Sequence, residues 1–317
     1  RSTTASHLQL IFALTMQFVA LLSGGKDSCY NAMKCVEHGH TLVCLANLLP
    51  PADFEGEELN SYMYQSAAYS AIPAMAECFE VPLVRRHIQG GAIIQTLDYE
   101  APATATATAT ATALASDDSS PGAAAEHAHA HVPTQTEDEV EDLYQLLLSV
   151  KQAFPCVKGV SCGAIVSTYQ RLRLEHVCER EDIQLLPLCY LWMRDRRELL
   201  FEITDRKRRV VCTPPPTSSA AGATVGVSVG GTATGTAASL PPKFAPIEAI
   251  LVKVAGAGLQ PTKHLGLTLQ FLKPTLLRLH DKYGLDLCGE GGEYESLVLD
   301  CPLFPHKKLV VDQKTVL

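Results

Sequence analysis

The residues best suited to chemistry stand together near the start of the chain, in the string Ser23-Gly24-Gly25-Lys26-Asp27-Ser28. A short apolar run precedes the string and an amphipathic stretch follows it, so it reads as a strand-to-helix loop. Two glycines let backbone approach a phosphate closely, and the free N–H groups opening a helix supply donors in a positive dipole field. Ser23 and Ser28 add hydroxyl donors. Asp27 repels phosphate, so its part is to orient the loop or to assist Mg2+. The string is not a Walker loop, in which Gly-Lys is followed by Ser or Thr; here Lys26 precedes an aspartate. The bland alternative is a tight turn with a capping side chain and no ligand. A second candidate lies late in the chain, at Glu290-Gly291-Gly292-Glu293-Tyr294-Glu295. Three carboxylates around a glycine pair suit a cation or an ammonium, although a polar turn between strands has the same composition.

The elements that must hold these groups alternate between strand and helix. Strands are expected at Phe18–Leu22, Thr41–Leu48, Pro82–His87, Val157–Val166 and Gln184–Leu191. Between them, helices are expected at Ser28–His38, Leu59–Phe79 with a break near Pro73, Glu137–Phe154 and Thr168–Arg180. Such repetition means a parallel sheet with helices on both faces, and a ligand outside the carboxyl ends of the strands. Past Trp192 the pattern loosens. A strand at Ala249–Ala255, a long helix at His264–Tyr283 containing Pro274, and strands at Leu285–Cys288 and Ser296–Asp300 suggest a smaller α/β unit. The expected division is residues 16–192 and 193–317, after an N-terminal extension of residues 1–15. Leu8–Leu22 is too short and too interrupted to span a bilayer. Met16, just ahead of the first strand, is the expected start, with a transit or signal segment as the weaker alternative. Two stretches, about 101–136 and about 213–242, are too poor in large apolar groups to offset the entropy of ordering and read as flexible insertions.

Composition narrows the class. The 317 residues are 47% hydrophobic and 19% charged with net charge -8, as in a soluble globular protein. That balance argues against sequence-independent nucleic-acid binding. Eleven cysteines, an odd number with no C-x-x-C pair, fit a reduced cytoplasmic protein without a structural zinc. His127, His129 and His131 belong to a low-complexity tract, and the basic cluster from Arg194 to Arg209 reads as a solvated face.

Ser-Gly-Gly-x-Asp-Ser resembles the pyrophosphate loop of the N-type ATP pyrophosphatases. Further segments make the sequence similar to the diphthine–ammonia ligase family: Glu58-Leu59-Asn60-Ser61-Tyr62-Met63-Tyr64-Gln65, Asp138-Glu139-Val140-Glu141-Asp142-Leu143-Tyr144, and Gly163-Ala164-Ile165-Val166-Ser167 leading into Tyr169-Gln170-Arg171. Pro187-Leu188, Tyr190-Leu191-Trp192, Lys263-His264-Leu265-Gly266 and Cys288 to Glu295 complete the set. The likeness runs from Met16 to about Asp312 apart from the two insertions.

The resemblance implies a Rossmann-like sheet of the adenine nucleotide α-hydrolase type. It implies ATP-dependent amidation of diphthine, a modified histidine of translation elongation factor 2, by ammonium, through an acyl-adenylate with release of AMP and pyrophosphate. Ser23 to Ser28 would hold ATP, with Asp27 serving Mg2+. Lys26, Asp27, Glu290 and Glu293 would be catalytic. Glu58, Ser61, Tyr62, Tyr169, Arg171, Gly291, Gly292, Tyr294 and Glu295 would face substrate. Elongation factor 2 is the expected partner, with no membrane and no direct nucleic-acid contact.

The family carries an aspartate where this chain has Thr168, which is expected to replace it as a helix cap. A tRNA-modifying member of the same superfamily and a non-catalytic nucleotide-binding relative stay open as alternatives.

Overall fold

In a computed structural model of the chain, described over residues 15–51, 69–91, 138–205 and 246–311, five strands form one parallel sheet. They are β1 (Gln17–Leu21), β2 (Thr41–Leu49), β3 (Leu83–His87), β4 (Gly159–Ser161) and β5 (Leu186–Leu188), in the order β3-β2-β1-β4-β5. The chain runs outward from β1 through β2 to β3, then crosses back to β4 on the other side. The β1/β4 boundary is therefore the switch point, where a crevice opens beyond the carboxyl ends.

Alternation along β1 assigns its faces. Phe18 and Ala20 belong to one core and Val19 to the other. The Val19 core is filled by α3 (Glu139–Ala153) and α4 (Thr168–Glu179), through Leu143, Leu146, Leu147, Leu174 and Val177. The Phe18 core takes α1 (Lys26–Glu37), α2 (Ile72–Phe79) and α5 (Arg196–Asp205). It continues without a break into the second unit. There β6 (Glu248–Val254) and β7 (Tyr294–Asp300) pair antiparallel, with the short helix α6 (Pro261–His264) and α7 (Leu269–Tyr283) beside them. Ile250, Leu276, Val298 and Phe304 share one core with Phe18 and Met33.

Several expected boundaries move, each for a local reason. The strand foreseen at Val157–Val166 keeps only Gly159–Ser161. Beyond it Gly163 lies so close to the α1 entry that the segment leaves the sheet. The strand foreseen at Gln184–Leu191 shrinks to three residues, bounded by Gln184 at φ 43° and by a turn at Tyr190, whose N–H the Asn31 side chain accepts at 2.8 Å. Leu285–Cys288 is no strand, because the Asp286 carboxylate captures the Cys288 N–H at 2.8 Å and bends the chain. The helix foreseen from His264 starts instead after Thr268, whose hydroxyl accepts from Phe271 N and caps α7. Pro73 opens α2 rather than kinking it, since the missing N–H costs nothing in a first turn. Tyr69–Ala71, also foreseen as α-helix, form a single 3-10 turn ahead of α2. Residues 59–68 of the expected helix lie outside the described residues, as do both expected insertions, Glu58, Ser61, Tyr62 and residues 1–14.

Ten cysteines fall within the described residues, all of them free thiols. Among the described residues no helix is long and apolar enough to cross a membrane.

Candidate active site

The Ser23–Gly25 loop leaves β1 and enters α1 at the switch point. Gly24 adopts φ 88°, a left-handed conformation that a side chain would strain, and an added Cβ would stand 3.2 Å from Ile72 Cδ1. The loop is tied to itself: Gly25 N donates to Ser23 Oγ at 3.3 Å, and the Ser28 hydroxyl donates to the Gly25 carbonyl at 3.0 Å. It is also tied to the second unit, where Val298 N donates to the Gly24 carbonyl at 2.9 Å and Lys26 N to Ser296 Oγ at 3.1 Å.

In front of the loop lies a cleft of about 900 Å³, counting its open mouth. Ser23, Asp27 and Ser28 form one wall, Gly163, Ala164 and Glu290 another, and Leu21, Leu48, Leu143, Leu146 and Leu174 an apolar back. Asn47 and Gln170 add two amides to the lining. Asn47 is held between the Leu22 carbonyl, to which it donates at 2.9 Å, and Arg85 Nε, which it accepts at 3.1 Å.

Lys26 does not open onto this space. It is 2% exposed, and its ammonium donates to Asp27 Oδ2 at 2.7 Å and to the Cys288 carbonyl, with the Tyr294 ring centroid 5.0 Å away. Burial opposes the charge most strongly of any one cause, but Asp27, Tyr294 and Cys288 together outweigh it and hold the ammonium pKa above the ordinary lysine range. Burial pushes the Asp27 carboxyl above its usual range, with Lys26 pulling the other way. Asp27 Oδ1 is buried and accepts no hydrogen bond among the described residues. Glu290 reaches across to accept Val166 N at 3.1 Å, and its carboxyl is also raised, by burial first and then by Asp27. Two carboxylates that each disfavour ionisation thus face one cleft.

The rest of the acidic segment turns elsewhere. Glu293 accepts the Asp286 N–H at 2.9 Å and closes the turn that precedes it. Glu295 pairs with Lys253 at 3.2 Å, and the Tyr294 hydroxyl donates to the Leu287 carbonyl at 2.7 Å. Gly291 and Gly292 form the exposed tip, with Gly292 at φ 78°. Arg171 lies 4.7 Å over the Trp192 ring and pairs with Glu175 at 2.7 Å, while Tyr169 lies 3.4 Å from the Arg173 guanidinium. Of the expected groups, the structure brings Ser23, Asp27, Ser28 and Glu290 together at the cleft.

Thr168 is exposed at the first position of α4, and the cap is Ser167, whose side chain accepts Gln170 N. This corrects the expectation that Thr168 caps the helix. The Asp138 to Tyr144 segment also takes on a physical meaning. Asp138 caps α3, and Asp142 accepts Gln89 N and Gly90 N at 2.8 Å each, fixing the chain after β3. Sequence reasoning left Asn47, Gln170 and the five leucines unassigned, because their convergence needs the sheet order. Gln170 alone had a signal, inside the Tyr169-Gln170-Arg171 motif.

The doubly wound parallel sheet, with its cleft at the β1/β4 switch point, makes this a Rossmann-like α/β protein. Residues 245–316 match the family model described as the diphthamide synthase C-terminal domain. Over 298 residues, 94% of this chain and 83% of the relative, the sequence is 40% identical to a diphthine–ammonia ligase of Rattus norvegicus. It is 40% identical to the Homo sapiens diphthine–ammonia ligase over 95% of this chain and 85% of the relative. A Schizosaccharomyces pombe diphthine–ammonia ligase is 37% identical over 95% of this chain, which covers 37% of that longer protein. The chain belongs to the diphthine–ammonia ligase family.

Proposed function

We propose that the chain amidates the diphthine carboxylate of translation elongation factor 2 in the cytoplasm, using ATP and ammonium, as the last step of diphthamide biosynthesis. The observation that carries this reading is the Ser23–Ser28 loop at the switch point, facing an apolar-backed cleft with Glu290 opposite. ATP would lie with its adenosine against the leucine-lined back and its β- and γ-phosphates against the wall of Ser23, Asp27 and Ser28, in the dipole field at the start of α1 and on those of its opening N–H groups not already held by Ser23 and Ser296. That leaves the α-phosphorus open to the substrate carboxylate. Attack there forms an acyl-adenylate and releases pyrophosphate; ammonia then displaces AMP. The protein's part is positioning and charge stabilisation.

Mg2+ fits the acidic pair. Asp27 offers a buried oxygen with no hydrogen-bond donor among the described residues, Glu290 stands near, and the ion is ordinarily held by one or two carboxylates plus phosphates. Bound there, it would neutralise charge on the departing pyrophosphate. Lys26 acts from behind, fixing Asp27 and joining the loop to Cys288. The second unit, residues 193–317, contributes Glu290 and braces the loop.

The test is a pyrophosphate-release assay with ATP, ammonium and diphthine-bearing elongation factor 2. AMP and pyrophosphate are expected in equal amounts, with loss on the order of 100-fold or more in Asp27→Ala. Formation of ADP, or full activity in that variant, refutes the assignment.

A further inference from the structure

Two cysteines stand just where β4 and β5 end. Ser161 is in register with Leu188, so Cys162 and Cys189 are the next positions along neighbouring parallel strands. The Cys162 N–H still donates to the Leu188 carbonyl at 3.3 Å, which keeps the two segments side by side. Adjacent strands lie about 4.8 Å apart, and a disulfide spans Cα separations of about 4.4–6.8 Å. In-register residues of neighbouring strands direct their side chains to the same face of the sheet, so the two thiols stand on one side. Each is half-buried, whereas Cys29, Cys35, Cys44 and Cys178 are sealed in the core and Cys156 is exposed.

The place matters as much as the pairing. Cys162 lines the cleft beside Gly163 and Glu290. A Cβ on Gly163 would stand 2.6 Å from Ser28 N and 2.7 Å from the Asp27 carbonyl carbon, so no slack separates this segment from the α1 entry. A covalent pull on Cys162 toward β5 acts through Gly163 on the wall that carries Asp27 and Ser28.

We propose that Cys162 and Cys189 are a thiol pair that closes to a disulfide under a small-molecule disulfide oxidant, and that closure weakens nucleotide binding in the adjoining cleft. Cys162, which faces the cleft, loses its proton to solvent and attacks one sulfur of oxidised glutathione. That S–S bond breaks, one glutathione thiolate leaves, and a mixed disulfide remains on Cys162. Cys189, deprotonated in turn, attacks the Cys162 sulfur and expels the second glutathione. Two protein thiols are oxidised and two glutathione thiols are formed. The thiol chemistry stands without the nucleotide reading; its effect on catalysis rests on it.

The experiment incubates the reduced full chain with oxidised glutathione, with and without Mg-ATP, then alkylates free thiols and maps peptides by mass spectrometry. The expected product links the peptides of Cys162 and Cys189, while Cys156 carries at most a glutathione adduct. Mg-ATP slows the linkage several-fold. The linked protein shows a KM for ATP raised about tenfold, reversed by dithiothreitol, and Cys189→Ser abolishes the response without changing basal turnover. Adducts at Cys156 with Cys162 and Cys189 still alkylatable overturn the pairing, and an unchanged KM in the linked protein overturns the coupling. A reduced protein that binds no ATP instead defeats the functional reading, and the peptide map then decides the thiol pair alone.

Discussion

Replacing Gly163 by alanine probes the closest approach in the cleft wall. The new methyl would lie 2.6 Å from Ser28 N, against an ordinary contact distance that begins at 3.4 Å, so something must yield by about 0.8 Å. The atoms in its way are backbone of Asp27 and Ser28 rather than flexible side-chain ends, so the displacement passes into the loop. Misplacement by about 1 Å costs on the order of 100-fold in rate, so kcat/KM for ATP should fall roughly 30- to 100-fold. Overpacking should also lower stability by about 1–3 kcal/mol. Pyrophosphate release under saturating ammonium and substrate reads the first effect, and urea denaturation reads the second. Gly256→Ala is the internal control, because a Cβ there has no atom within 4 Å and should leave both unchanged. A Gly163→Ala enzyme within about twofold of the unaltered protein would show that the Gly163 segment does not set the position of the loop.

Lys26→Met should cost about 3–5 kcal/mol in denaturant unfolding, since it leaves the Asp27 carboxylate half-buried without its partner. For Glu290→Gln, pyrophosphate release should fall while the nucleotide-free protein becomes more stable. The Glu290 carboxyl has a raised pKa, so the fold takes up a proton between the ordinary carboxylate range and that raised value, and stability falls as pH rises through the window. The variant lacks this fall, and its melting temperature should decline less with pH than that of the unaltered protein; parallel curves would remove Glu290 as the cause. Thr168→Asp places a negative charge at the start of α4, next to a cap already supplied by Ser167. It should add about 0.3–1 kcal/mol with little change in turnover, and a large gain in activity would show that this position touches the chemistry.

Local pattern carried much of the fold. The apolar run Phe18–Leu22, the glycines of the loop and the α1 face needed only neighbours in sequence to be read. Elements whose limits depend on distant contacts are misjudged: the fourth strand ends where Gly163 meets α1, and the fifth ends where Asn31 takes the Tyr190 N–H. The turn at Leu285–Cys288 is local, made by the Asp286 carboxylate capturing an N–H two positions on, and an apolar pattern does not reveal it. The same division runs through the site. Ser23, Asp27 and Ser28 follow from spacing alone. Nothing in a local window reveals that Lys26 faces inward, because its partner carbonyl on Cys288 lies 262 positions away. Nor does composition separate Glu290, on the cleft, from Glu293 and Glu295, held by the Asp286 amide and by Lys253. Side-chain direction within an acidic segment is a tertiary property.

The clasp between the loop and β7 also bears on how the molecule is made. Lys26 N reaches Ser296 over a separation of 270 residues, and Gly24 is held by Val298. A nascent chain on the ribosome therefore carries the Ser23–Ser28 loop early but lacks the braces that shape it until synthesis has passed β7. Premature stops between Ser28 and Ser296 should yield polypeptides that retain the whole signature string yet hold ATP poorly.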